Sequence, residues 1–269
     1  MKISIITPTF NSERVISRNI ESVIAQKYIQ FEHIVIDNLS SDGTLNIIAD
    51  IYNNAGLNDK LKIVSEKDNG ISDAFNKGIN SSSGEIVTIL NSDDFYTGNY
   101  VLDKVIDAFA NKNILFTHGN IFFYDPYYGS NVRKPLLCHI TEALPYNHPT
   151  MFFRREVYEK YGLYDIEYKY AMDFEYICRL TKKIENLDKY SAYLDGGALV
   201  QMESGGASWE NELKSIDETK KALKKYDLWN FNARKNYNLR VLRTKLKVYL
   251  SKIGLSGIVK KWRKMKWEN

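Results

Sequence analysis

The stretch Glu85-Ile-Val-Thr-Ile-Leu-Asn-Ser-Asp-Asp-Phe95 decides how this chain reads. Ile86 to Leu90 is a run of β-branched and aliphatic residues, the pattern of a central parallel strand covered on both faces. Asn91, Ser92, Asp93 and Asp94 follow it directly, at the edge where open α/β sheets take their ligands. Adjacent carboxylates repel each other and need a partner. A divalent cation bound to phosphates supplies one, because hard oxygen donors suit magnesium or manganese. The competing reading is a solvated turn with two helix-capping acids.

Working outward, strands and helices alternate. Lys2 to Thr7, Phe31 to Ile36 and Leu61 to Ser65 read as strands that precede the run at residues 85–90. The helix after the first strand runs from a Ser12 cap to about Gln26, with Val15, Ile16, Ile20, Val23 and Ile24 on one face. A second helix ends near Tyr52, and a third near Lys77 is closed by Gly78. This alternation predicts a doubly wound α/β fold with a mostly parallel central sheet flanked by helices. Further on, the spacing predicts a helix over 100–111 and strands within 114–124. It also predicts extended chain at 150–154, helices over 156–161 and from Asp173 to about Lys183, and one or two strands in 192–203. From Glu210 the chain reads as helical, with breaks at 227–232 and 254–257. Three segments result: an alternating strand–helix half at 1–98, a second half at 99–209 where the pattern changes, and a basic helical extension at 210–269.

In a parallel sheet, the loops after the four N-terminal strands fall on one edge and converge in space. They are Thr7-Pro-Thr-Phe-Asn11, Asp37-Asn38, Glu66 to Gly70 and Asn91 to Asp94. Their carboxylates, amides and open backbone donors suit a nucleoside diphosphate with a metal. Asp37, an acid after a strand, is placed to accept from a base or ribose hydroxyl; a helix cap is its plainer role. Neither a G-x-G-x-x-G fingerprint nor a P-loop is present, which disfavours dinucleotide and NTPase readings.

Composition sets the remaining bounds. The 269 residues are 44% hydrophobic and 26% charged, ordinary for a globular protein, and 19 Tyr supply flat, half-polar surface suited to sugars or bases. Cys138 and Cys178 lie far apart with no metal spacing. With no signal pattern and no membrane-length apolar run, the expected location is the cytoplasm. The net charge of +4 conceals an asymmetry: residues 231–269 hold 12 Lys or Arg and one acid, so the rest of the chain is acidic. Within this tail Leu239, Leu242, Leu246, Leu250, Ile253, Ile258, Trp262 and Met265 recur at largely helical spacing among cations. That is the composition of a helix lying in an anionic membrane interface, or of one docked on an acidic body. Nucleic acid is disfavoured, because no binding module is recognised and the N-terminal loops would be left unexplained.

The chain resembles the inverting family 2 glycosyltransferases of GT-A fold, of the type that builds bacterial surface polysaccharides. The resemblance rests on Ser4-Ile-Ile-Thr-Pro-Thr-Phe-Asn11, Val35-Ile-Asp-Asn-Leu-Ser-Ser-Asp-Gly-Thr44, residues 65–78 and Leu90-Asn-Ser-Asp-Asp94. It continues through His148-Pro-Thr-Met-Phe-Phe-Arg154, residues 171–180 and Gly205-Gly-Ala-Ser208, and spans roughly residues 1 to 210. It implies one sugar moved with inversion from a UDP-sugar, UDP-glucose first, to a sugar on an undecaprenyl-diphosphate carrier in O-antigen or capsule assembly. An enzyme of this kind works at the inner face of the membrane.

Carried onto this chain, the resemblance implies that Thr7, Pro8, Thr9 and Asp37 hold uracil and ribose. Asn11, Asp68, Gly70, Asn76, Lys77, Asn91, Ser92 and Asp93 complete the donor side. Asp93 and Asp94 fill the family's metal-and-diphosphate motif, with Mn2+ or Mg2+ as cofactor. The base position falls on Asp173, at a helix start whose dipole favours the ionised carboxylate; an ordinary cap is the alternative, and Glu175 is the nearest competitor. His148 and Glu175 fall on the acceptor side, and Gly205, Gly206 and Trp209 fall on a lid. The chain departs from the pattern at Asn38, Leu39 and Asn91, and Ala74-Phe75-Asn76 lacks the usual arginine, for which Lys67 or Lys77 is the substitute. The Q-x-x-R-W motif of processive synthases is absent. A catalytically silent nucleotide-sugar binding protein and a nucleotidyltransferase-like enzyme are the alternatives.

Overall fold

The computed structural model describes residues 1–125, 129–136, 138–205, 211–255 and 257. Among them are nine strands and eight α-helices in one nine-stranded sheet. The strands are β1 (Ile3–Thr9), β2 (Phe31–Asp37), β3 (Leu61–Ser65), β4 (Ile86–Ile89), β5 (Phe95–Tyr96), β6 (Phe116–Asp125), β7 (Gly129–Arg133), β8 (Phe152–Arg154) and β9 (Ser191–Glu203). The helices are α1 (Ile16–Ile24), α2 (Thr44–Ala55), α3 (Ile71–Ser81), α4 (Val101–Phe109), α5 (Arg155–Tyr161), α6 (Met172–Lys183), α7 (Glu212–Lys225) and α8 (Phe231–Lys252). No helix among the described residues is long and apolar enough to cross a membrane.

The sheet runs β3-β2-β1-β4-β8-β6-β9-β5, with β7 paired to β6. Its first four strands are parallel, with Ile6 opposite both Ile34 and Ile89. Beyond β4 the sheet is mixed: β8 runs antiparallel to β4 and β6, whereas β6 and β9 are parallel. The expectation of a mostly parallel sheet holds: β6 and β9 keep the direction of β1 to β4, and β5, β7 and β8 run against them. Every residue of β1 and β4 is buried, as strands covered on both faces must be. Ile3, Ile5 and Ile86 pack in one core layer and Ile6, Val87 and Ile89 in the other, the two-residue alternation of a pleated strand.

Two expected helix ends lie elsewhere. The first helix begins at Ile16, not at Ser12, and no side chain caps it. The Ser12 carbonyl accepts from the Val15 and Ile16 N–H groups. Its hydroxyl meets Ser92 Oγ at 3.1 Å, so it ties the β1 loop to the β4 loop. Gly78 does not close α3, which continues to Ser81. A Cβ at Gly78 would stand 2.2 Å from Ile6 Cγ2, so glycine is required there by the close approach of α3 to β1. Gly78→Ala is expected to destabilise the fold by about 1–3 kcal/mol, read as a lower denaturant midpoint with an unchanged slope.

Beneath this layer His33 is buried between Thr7 (Nε2 to Oγ1, 2.9 Å) and Tyr52 (Nδ1 to OH, 2.8 Å). Burial pulls its pKa from the usual 6.5 down to about 3. The unfolded chain therefore takes up a proton at His33 that the folded chain refuses. This contribution to stability is complete above pH 6.5 and is lost as the pH falls towards 3, at up to about 1.4 kcal/mol per pH unit. His33→Gln is expected to flatten the pH dependence of the unfolding free energy across that window, in urea titrations at successive pH values.

Candidate active site

The chain visits β1, β2 and β3 in one direction across the sheet and then returns to place β4 on the other side of β1. The crevice at the carboxyl ends of β1 and β4 is thus a topological switch point, where neighbouring loops diverge and leave room for a ligand. A cleft of about 500 Å³ opens there. Of the expected site residues it is lined by Pro8, Thr9, Asp68, Gly70, Asn91, Ser92, Asp93, Asp94, His148, Asp173 and Gly205. These residues are brought together from loops more than a hundred residues apart.

The acidic pair sits deep. Asp94 is 1% exposed. Burial first, and Asp93 second, hold its carboxyl well above the usual range, while a bond from Asn91 Nδ2 opposes them. Burial likewise raises Asp93, helped by Glu203 and opposed by Arg18. Arg18 itself is bonded to Glu203 at 2.7 Å. The Asp-Asp loop is clamped by Asn19 of α1, whose Nδ2 donates to the carbonyls of Asn91 (2.8 Å) and Asp94 (2.9 Å). Thr9 Oγ1 and Asn91 Oδ1 are buried without a hydrogen-bond partner.

Two adjacent carboxylates, one buried and one half-buried, that resist ionisation together fit a hard divalent cation. No group of three or more His, Cys, Asp or Glu able to hold a metal converges among the described residues. A magnesium or manganese ion would be held here by Asp93 and Asp94, because such ions commonly keep water and substrate phosphate as their other ligands.

Asp173 stands in the cleft wall contributed by the second half of the chain, in the first turn of α6. Its Oδ1 accepts the Phe174 N–H at 2.7 Å, its only hydrogen bond to the described residues. His148 lines the same cleft, stacked on Phe75 with ring centroids 5.8 Å apart. Its pKa is lowered by burial, against the pull of Asp173, so the ring is neutral.

Six expected site residues build the walls and do not line the cleft. Thr7 is buried against His33. Asp37 is fully buried, with bonds from the Ser40 N–H (3.0 Å) and Ser65 Oγ (2.6 Å), while the neighbouring Asn38 lines the cleft. Asn11, at φ 47°, accepts the Ser41 N–H through Oδ1. Asn76 exchanges bonds with the Tyr164 backbone at 2.8 and 2.9 Å. Lys77 is spent on the Lys67 carbonyl and Glu66, so it does not supply the missing cation; Lys169 is the lysine that lines the cleft. Glu175 points inward on α6, where it binds Arg179 through both oxygens (3.0 and 2.8 Å), Lys225 (3.2 Å) and the Tyr226 hydroxyl. Gly206 and Trp209 lie outside the described residues.

Two positions went unmarked in the sequence. Asn19 carried a signal, a polar residue inside the apolar stripe of α1. Glu218 of α7 carried none. Its carboxylate accepts the backbone N–H groups of Lys169 (3.0 and 3.1 Å), Tyr170 (2.8 Å) and Ala171 (2.8 Å), the residues that lead into Asp173.

A GT-A fold with an acidic pair at the switch point and a carboxylate in the facing wall defines a glycosyltransferase. The chain belongs to glycosyl transferase family 2, whose model matches residues 4–178. An uncharacterized glycosyltransferase of Mycobacterium tuberculosis is 31% identical over 184 residues, covering 66% of this chain and 68% of that protein. The Escherichia coli UDP-Glc:alpha-D-GlcNAc-diphosphoundecaprenol beta-1,3-glucosyltransferase WfgD is 33% identical over 119 residues, covering 44% of this chain and 45% of WfgD. Staphylococcus aureus TarS 1-349 in complex with UDP-GlcNAc shares the fold at TM-score 0.67 and 21% identity, over 84% of this chain and 65% of that one.

Glu218→Ala is expected to lower transferase turnover roughly tenfold through misplacement of the 169–173 segment. Donor affinity should change much less, as steady-state kinetics would separate.

Proposed function

We propose that the protein is a non-processive, inverting transferase. It moves one sugar from a UDP-sugar, UDP-glucose first, to a sugar carried on a lipid diphosphate such as undecaprenyl diphosphate, in bacterial O-antigen or capsule assembly. The observation that carries the reading is the meeting of Asp173 with Asp93 and Asp94 in one cleft. UDP-GlcNAc in TarS and the name of WfgD support the donor nucleotide and the class of acceptor.

Asp173 removes the proton from the acceptor hydroxyl as that oxygen attacks the anomeric carbon. The bond from that carbon to the UDP oxygen breaks on the opposite face, so configuration inverts, the proton stays on Asp173 and UDP leaves. Neutral His148 and the apolar Phe75 behind it keep that wall dry, which strengthens the field of a nearby charge. Asp93 and Asp94 would hold an Mn2+ or Mg2+ ion, which when bound would supply positive charge beside the diphosphate. Pro8, Thr9, Asn38, Asp68 and Gly70 form the nucleoside end.

The enzyme works as a peripheral protein at the inner face of the membrane. Leu242, Leu246 and Tyr249 on α8 and Ile253 just past its end recur every three or four residues, all exposed, and Lys245 and Lys252 lie among them. Such a stripe fits an anionic interface. Ile258, Trp262 and Met265 of the same tail lie outside the described residues.

UDP release from a panel of UDP-sugars tests the reaction, run with and without manganese and with a lipid-diphosphate-linked N-acetylhexosamine. Acceptor-dependent release from one sugar, lost on chelation, is the expected result. No release and no UDP binding would sink the reading and leave a silent binding protein. Asp173→Asn is expected to lower turnover at least a thousandfold while UDP still binds, whereas Asp94→Ala should weaken metal-dependent donor binding. Loss of binding in Asp173→Asn would overturn its role as base.

A further inference from the structure

Asp173 and Tyr170 belong to two clefts at once. Behind the one described above, a second cleft of about 480 Å³ opens between the start of α6 and the flank of α8. The same two residues line both, so the segment from Tyr170 to Asp173 is the partition between them. The far wall of the second cleft holds Asn236, Leu239, Arg240 and Arg243, which fall at positions i, i+3, i+4 and i+7 of α8.

Neither arginine is used by the fold. Among the described residues, Arg240 and Arg243 make no hydrogen bond or ion pair. By contrast, Glu175 takes up Arg179, and Glu212 accepts from Thr244 (3.0 Å) and Lys247. Arg240 is nonetheless substantially withdrawn from water: burial pushes its pKa down, against the fields of Glu212 and Asp173. A half-buried guanidinium without a partner leaves donors unsatisfied, which is costly unless a ligand supplies the acceptors. The planar guanidinium donates two parallel bonds to phosphate oxygens. Glu142 also lines the cleft.

We infer that this second cleft is the acceptor's phosphate subsite, in which Arg240 and Arg243 bind the diphosphate that joins the acceptor sugar to its carrier. The inference rests on the proposed transfer and specifies its acceptor side. A sugar bound between Asp173 and the two arginines offers a ring hydroxyl to the carboxylate at one end and its anomeric phosphate to the cations at the other. The exposed stripe of Leu242, Leu246 and Tyr249 continues along α8 from Leu239 on the cleft wall and on to Ile253 just past the helix end, so the carrier's apolar chain has a surface to follow.

The test compares two soluble acceptors with the same N-acetylhexosamine, one a short alkyl diphosphate ester and one a neutral alkyl glycoside. Arg240→Gln and Arg243→Gln are each expected to raise the KM of the diphosphate acceptor at least tenfold. KM for the UDP-sugar, kcat and transfer to the neutral glycoside should hold within twofold, and Arg240→Lys should recover part of the loss. Equal losses on both acceptors would assign the arginines a structural role and overturn the inference, as would no loss on either. A binding measurement separates this failure from failure of the transfer itself. With the donor cleft saturated by UDP, a short alkyl diphosphate should bind the wild type at least tenfold more tightly than Arg240→Gln. Co-sedimentation with phosphatidylglycerol vesicles distinguishes the remaining source of phosphate. Vesicle binding unchanged in both variants supports the subsite, and vesicle binding lost with alkyl diphosphate binding unaltered would make the arginines headgroup contacts and overturn it.

Discussion

The parallel pairing of β1 with both β2 and β4 is the constraint on which the rest depends. It buries every residue of β1 and requires the chain to double back after β3. The reversal opens the crevice at the strand ends and sets two loops, residues 8–12 and 91–94, beside it. Asn19 and the contact of Ser12 with Ser92 then knit those loops together. Asp94 can be buried, and Asp93 half-buried beside it, because the surrounding backbone is already held by other groups. Fixed in that way, they stand as a close pair at the cleft, and folding itself has to bear the cost of withdrawing charge from water there.

The second half of the chain presents its carboxylate to the same crevice by a different means. The start of α6 is held from behind by α7, through the three backbone N–H groups that Glu218 accepts and through the buried cluster of Glu175, Arg179, Lys225 and Tyr226. A buried anion with two cations and a phenol is satisfied in each direction, and such a cluster specifies one arrangement more than it adds net stability. Ile216, Ala222 and Leu223 of α7 are buried, and Ala222 and Leu223 enter the same core as α6, so α7 braces the transferase body. α8 packs on α7 more lightly, through buried Ala233 and Thr244, and leaves Leu242, Leu246 and Tyr249 exposed.

The order of strands and helices was legible because hydrophobic period and turn residues are local properties. β3 spans Leu61–Ser65 as expected, and the break between α7 and α8 falls at residues 226–230, overlapping the expected 227–232. Misjudged ends have non-local causes. Gly78 reads as a stop, yet it lies within a helix because Ile6, seventy-two residues earlier, leaves no space for a Cβ. Ser12 reads as a cap, yet its hydroxyl reaches the β4 loop.

The sequence by itself determined the family, the alternation of strands and helices and the acidic loop after β4, since each of these is written in adjacent residues. Which polar groups face the cleft was decided only by the tertiary structure. Asp37 and Asn38 are neighbours of nearly equal promise on paper. The pleat turns Asp37 into the protein, where Ser40 and Ser65 consume it, and leaves Asn38 at the opening. Asp173 and Glu175 differ in the same way by two steps of a helix, one towards the cleft and one towards Arg179. A side chain's direction depends on the packing of the element that carries it, and that packing is set by residues far away in the chain.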